Sequence, residues 1–229
     1  MHALMNSLDN EWSSTQDPEV RELVASIGAY SIVAFCGSFR GPEVFLVDLF
    51  GLRKYMQQHP RDDGVECIIV PLLGRFRGET GEKYHLKPLA AVTSSGLNVR
   101  LWLRRLIFVR EVQGRLQGPA FSDEEGNIAH SCKYELAIMD HLAAIQEADP
   151  DLIPKDMGIY EEFGISRSFR RGATSTARAQ GVDDRQVDLV NRWRSFESAR
   201  GRKPRFTMHD HYSDIRILIP ELVMFSKAL

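Results

Sequence analysis

The stretch Val65-Glu66-Cys67-Ile68-Ile69-Val70-Pro71-Leu72-Leu73 is the clearest strand in the chain. It is rich in β-branched residues, whose stiff side chains suit a pleated surface. A turn at Gly78-Glu79-Thr80-Gly81-Glu82 follows, and Tyr84 to Leu89 is expected to return as a second strand, giving a hairpin or part of a three-stranded sheet. An isolated hairpin is marginal in water and needs a helical layer to cover it. The other apolar residues recur at helical spacing. The expected fold is therefore mainly α with a small antiparallel β-sheet, an α+β arrangement.

The helical segments have recognisable punctuation. Asp17-Pro18-Glu19 reads as a helix start, with Asp17 as cap and Pro18 in the first turn. That helix runs to about Phe35 and buries Val20, Leu23, Val24, Ile27, Tyr30 and Val33. Cys36 to Pro42 breaks it, and a second helix is expected from Glu43 to Gln58, followed by a loop at His59 to Gly64. Further helices are expected over Leu97 to Val112, Ser131 to Gln146 and Ser166 to Gln180, the last ended by Gly181. Asp183 caps another that reaches about Trp193, and a final helix holds Tyr212 near its start and packs Ile215, Ile217, Leu218, Leu222, Val223 and Phe225. Residues 1–16 read as an N-terminal tail and 17–229 as one domain, without repeat or linker.

Composition narrows the function. No apolar run approaches the roughly 20 residues of a membrane span. The N-terminus lacks the charged start and apolar run of a signal peptide. Cys36, Cys67 and Cys132 are odd in number and far apart, and read as buried intracellular thiols without a disulfide framework or zinc site. Neither a metal nor a small-molecule cofactor is expected, since metal-ligand clusters and glycine-rich phosphate loops are missing from the sequence.

The formal net charge of −2 argues against a general nucleic-acid coat. Its distribution argues the other way. Between Ser166 and Arg205 stand eleven basic residues against four acids, a local excess of seven, and ten of the eleven are Arg. A guanidinium grips a phosphate through a planar fork of two hydrogen bonds, where Lys offers a point charge. Arg171, Arg192, Arg194, Arg200, Arg202 and Lys203 are candidate phosphate contacts; the bland alternative is a solvated basic face.

Three separated pieces carry candidate chemistry. The first is Phe35-Cys36-Gly37-Ser38-Phe39-Arg40-Gly41-Pro42-Glu43, continuing to Asp48. The second is Ser166-Arg167-Ser168-Phe169-Arg170-Arg171-Gly172-Ala173-Thr174. The third is Asn191-Arg192-Trp193-Arg194, followed by Met208-His209-Asp210-His211-Tyr212-Ser213-Asp214. Taken singly, they are a capped helix start, a basic amphipathic helix and a tyrosine at a helix start. Taken in order, they resemble the signature of the tyrosine recombinases, the phage-integrase family, over roughly Glu19 to Leu229. The run from Ser168 onward is most similar to integrase-like proteins of eukaryotic mobile elements.

The resemblance implies a recombinase catalytic-domain fold and these roles. Arg40 is the first catalytic arginine and Glu43 the acid that supports the site. Arg170 is the second arginine, and Arg167 stands where the family usually has histidine. Trp193 matches the family's His-or-Trp position, and Tyr212 matches the nucleophile. A family lysine on the hairpin turn supplies a proton to the leaving group; here Arg77 aligns with it, and Lys83 is the nearby substitute. His211 is a candidate to assist the phenol or contact phosphate, although packing or exposure is the favoured account of it and of His209.

The chemistry requires these residue types. Attack at phosphorus spreads negative charge over the non-bridging oxygens, and guanidinium forks stabilise it. Nearby cations also favour the phenolate of a tyrosine, whose free pKa is near 10. The implied reaction cleaves and rejoins DNA through a 3′-phosphotyrosine link, on a tetramer holding two duplexes. Two other readings stay open. One is a domesticated relic that binds DNA without cleaving it, motivated by Arg77 and Arg167; the other is a type IB topoisomerase-like enzyme. The family's separate N-terminal DNA clamp is expected to be absent from this chain. The expected location is intracellular, and nuclear in a eukaryotic host.

Overall fold

The computed structural model describes residues 1–58, 61–62, 64–73, 84–191 and 215–229. The helices among them are α1 (His2–Ser14), α2 (Pro18–Cys36), α3 (Gly41–Val44), α4 (Leu49–Met56), α5 (Val99–Val112), α6 (Ser131–Ala148), α7 (Ile159–Glu162), α8 (Ser168–Ala179), α9 (Asp184–Asn191) and α10 (Ile215–Ala228). Strands β1 (Arg61–Asp62), β2 (Val65–Leu73) and β3 (Tyr84–Ala90) form an antiparallel sheet in the order β1-β2-β3. The expectation of a mainly helical chain with a small antiparallel sheet holds. Val70 pairs with Lys87 and Cys67 with Ala90 in the hairpin register. Among the described residues no helix is long and apolar enough to cross a membrane.

Helix α2 is the axis of the molecule. Asp17 caps it by accepting from the Glu19 N–H at 2.9 Å, and Pro18 occupies its first turn. Val20 and Leu23 near its start are only half-buried, but every residue from Val24 to Cys36 is buried. It packs against α1, α5, α6 and α8, so its second half has no solvent face. Gly28 lets α5 approach: a Cβ there would lie 2.2 Å from the Trp102 ring. Alanine normally gains about 1 kcal/mol over glycine inside a helix. Overpacking a tight core costs about 1–3 kcal/mol. Trp102 is buried, with the Arg105 guanidinium 4.6 Å from its ring centre, and has little room to yield. Gly28→Ala is therefore expected to lower stability by about 1–2 kcal/mol, measured by urea denaturation; a gain in stability would contradict this packing.

The structure corrects three expectations. Residues 1–16 are no tail: α1 buries Leu4, Met5 and Leu8 and lies on α2 and α6. Polar partners remote in sequence secure it. Asp9 pairs with Arg105, Ser7 Oγ lies 2.9 Å from His141 Nδ1, and Glu11 lies 3.0 Å from His141 Nε2. The Trp12 ring is flanked by Arg21 at 5.3 Å and Arg105 at 5.1 Å.

The helix expected over Glu43 to Gln58 is two short helices. The backbone between them leaves the helical path to cover the edge of β2: Asp48 N–H donates to the Pro71 carbonyl at 2.9 Å, and Leu73 N–H to the Leu46 carbonyl at 2.7 Å. Asp48 then caps α4 through the Gly51 N–H at 2.8 Å. Finally, Cys36 and Cys67 are buried as expected, but Cys132 is exposed in the first turn of α6.

Candidate active site

The first and second signature pieces come together at the end of α2. The helix stops at Gly37, and Ser38 turns the chain with φ of 50°, the left-handed region. Phe39 is buried, and Arg40 emerges exposed as the N-cap of α3. Glu43 holds that turn: its carboxylate accepts from the Arg40 N–H at 3.0 Å, and its own N–H donates to the Arg40 carbonyl at 2.9 Å. The acid thus fixes the backbone that presents the guanidinium.

Gly41 makes the junction. Its N–H donates to the Ser166 carbonyl at 3.3 Å. A Cβ at this position would lie 2.6 Å from the Ile165 carbonyl oxygen and 2.9 Å from the Tyr30 hydroxyl, so glycine alone permits the approach. Arg40 and Arg167 each adjoin this hydrogen-bonded pair in sequence, from opposite sides.

Helix α8 carries the second piece. Phe169, Ala173, Thr174 and Ala177 form its buried face, while Arg167, Arg171 and Arg178 are exposed. Arg178 pairs with Asp184 at 2.9 Å. Arg167 is the N-cap residue and makes no side-chain cap. A cation is electrostatically unfavourable at the positive end of a helix, so capping does not explain an arginine here. Arg170 is half-buried and donates to the backbone carbonyl of Asn191 at the end of α9. Arg40 thus stands one residue before the Gly41–Ser166 hydrogen bond and Arg167 one residue after it, with Arg170 and Arg171 in the first turn of α8.

Tyr212, Trp193, Arg77, Lys83, Arg192, Arg194, Arg200, Arg202, Lys203, His209 and His211 lie outside the described residues. Two phenols elsewhere are unsuited to attack on DNA. Burial pushes Tyr30 well above the ordinary phenol range and Tyr134 up to about 12, so both stay neutral in the core. Burial likewise pushes the Cys36 thiol up to about 12.

The structure also places a lysine that the sequence reading passed over. Lys87 on β3 is buried, with its ammonium 5.8 Å from the Phe39 ring centre, beside the turn that bears Arg40. The available signal was its position: a lysine at the middle of a returning strand falls on one face of the hairpin or the other. Tertiary packing decided that this face meets the Arg40 turn.

Behind the site, α10 packs on β3 and α9 of its own chain. Ser226 Oγ accepts from the Ala90 N–H at 3.1 Å, and Lys227 Nζ donates to the Val92 carbonyl at 3.2 Å.

No family model, curated protein or solved structure matches the chain.

Proposed function

We propose that this chain is the catalytic domain of a tyrosine recombinase, cleaving and rejoining double-stranded DNA through Tyr212. The observation that carries this reading is the junction of Gly41 with Ser166, which brings the Arg40 turn onto the start of the helix bearing Arg167, Arg170 and Arg171. Two segments more than a hundred residues apart meet through a contact that tolerates no side chain. The residues gathered there suit a phosphodiester. The α8 N-terminus adds its dipole to the charge of these arginines, and a helix N-terminus favours an anion.

In this mechanism the Tyr212 oxygen forms a bond to phosphorus and the bond to the 5′-oxygen breaks. The phenol proton leaves as the attack proceeds, and the 5′-oxygen takes up a proton as it departs. Arg40 and Arg170 hold the two non-bridging oxygens. A buried lysine exchanges its proton more readily than arginine, whose pKa exceeds 12. Lys87 therefore joins Lys83 as a candidate donor, and Arg77 is better suited to binding phosphate. Reversal by a 5′-hydroxyl of another strand gives recombination, on four protomers and two duplexes.

The test is a pool of nicked suicide duplexes of randomised sequence, which trap the protein covalently when the cleaved strand diffuses away. A band shifted by the mass of the DNA on a denaturing gel is expected, and no shifted band would count against the proposal. Arg170→Lys keeps the charge but loses the fork. It is expected to slow adduct formation by roughly 10²–10³-fold, with DNA affinity nearly unchanged. The reading as a DNA-binding relic draws on Arg167 at the usual histidine position, and it predicts salt-dependent binding with no adduct.

A further inference from the structure

We infer that Asn191 is a positioning residue of this site: one buried amide sets Arg170 and the end of α9 against the Arg40 turn. The inference rests on the recombinase reading above and goes beyond the residues that the family signature assigns. Asn191 closes α9 and is 1% exposed. Its Nδ2 donates to Thr174 Oγ1 at 3.0 Å and to the Val187 carbonyl at 3.0 Å. Its Oδ1 accepts from Ser38 Oγ at 2.8 Å. The Val187 carbonyl can only accept, which assigns the amide nitrogen to that side and the oxygen to Ser38. The backbone carbonyl of Asn191 accepts from the Arg170 guanidinium.

These partners belong to all three signature pieces. Ser38 stands two residues before Arg40, Thr174 lies one turn beyond Arg170, and Asn191 stands two residues before Trp193. An arginine fork is planar, so holding one of its N–H groups on a fixed carbonyl orients the plane of the others. That carbonyl is itself held, because the Asn191 side chain is pinned from two sides. A buried polar network in which every member is satisfied specifies one arrangement of the elements that it joins.

Ser38 provides an independent observation. It is the one non-glycine residue with positive φ among the described residues. Glycine adopts that conformation freely, whereas a residue with a Cβ is strained there. Serine occupies the position, and its hydroxyl makes the bond to Asn191. Backbone strain kept beside a candidate site, where the strained side chain is a functional link, is the pattern expected of a geometric constraint that outranks stability.

The experiment uses the full chain and compares wild type with Ser38→Gly, Thr174→Val and Thr174→Ser. The readouts are the rate of covalent adduct formation on the nicked duplexes, DNA affinity and melting temperature. Ser38→Gly relieves the strain and removes the hydroxyl. The expected result is an unchanged or higher melting temperature, unchanged affinity and an adduct rate lower by roughly tenfold or more, since small misplacements of reacting groups cost up to about a hundredfold. Thr174→Val keeps the shape but loses the acceptor, and is expected to slow the reaction likewise, while Thr174→Ser restores it. Wild-type rates in both Ser38→Gly and Thr174→Val would overturn the inference. So would parallel losses of rate, affinity and melting temperature in both, because the network would then hold the fold rather than the site. An inactive wild type overturns the recombinase reading and this inference together; an active wild type with indifferent variants overturns this inference alone.

Discussion

Under the proposed recombinase mechanism, Tyr212→Phe is expected to abolish covalent capture of DNA while leaving salt-dependent DNA binding intact. The substitution removes one oxygen and keeps the ring. Without that oxygen no bond to phosphorus can form, and the loss is total for this route: on the order of 10⁴-fold or more, as for removal of other enzymic nucleophiles. Affinity for DNA comes mainly from cations on phosphates, whose count the substitution leaves unchanged. Arg170→Lys is expected to differ in kind, slowing adduct formation without eliminating it. The measurement is adduct yield on nicked duplexes for the two variants beside wild type, with binding followed across a salt series. An adduct formed by Tyr212→Phe at the wild-type rate would remove Tyr212 from the mechanism.

Arg110→Ala is expected to be the most damaging single change to stability. Arg110 is fully buried, and its guanidinium is a structural hub. It donates to the Ala120 carbonyl at 3.1 Å, the Ser122 carbonyl at 3.2 Å, Ser26 Oγ at 3.4 Å and Gln113 Oε1 at 3.0 Å, and it pairs with Glu22. It thereby ties α2, α5 and the segment before α6 together. Truncation leaves two buried carbonyls without this donor and removes the cation paired with Glu22. Breaking a buried ion pair from one side typically costs about 3–5 kcal/mol. For a chain of this size that corresponds to a fall of about 6–20 °C in melting temperature. Glu22 is partly exposed and can rehydrate, so Glu22→Gln is expected to cost less than Arg110→Ala. Thermal unfolding of the two variants checks the order. Equal losses would mean that the carbonyl bonds contribute nothing.

The same hub illustrates how much was legible beforehand. Arg110 lies within a helix recognised from its apolar spacing, yet charge patterning alone makes an arginine near a helix end a surface residue. Its burial depends on two carbonyls from the 120–122 segment, which helical periodicity cannot reveal. Lys87 was missed for a similar reason. Its strand was anticipated, but the side of the hairpin facing the Arg40 turn is a matter of packing.

The amino-acid order by itself determined the locally encoded features. Asp17 and Pro18 start a helix because capping and a fixed φ act within one turn. Val65 to Leu73 is extended because β-branched side chains favour it. The piece bearing Arg40 and Glu43 and the arginine run were visible as residue types at set spacings, as was the tyrosine near the C-terminus. Tertiary structure decided what depends on distant partners. His2–Ser14 became a docked helix because Asp9, Glu11 and Trp12 find Arg105, His141 and Arg21. The 43–58 segment broke because β2 offered its backbone better hydrogen bonds than a continuous helix. Asn191, a lone amide in the sequence, became the link between three remote pieces. The physical reason is common to all of these: torsional preference is settled within a few residues, whereas satisfying a buried polar group requires knowing which other chain segment arrives beside it.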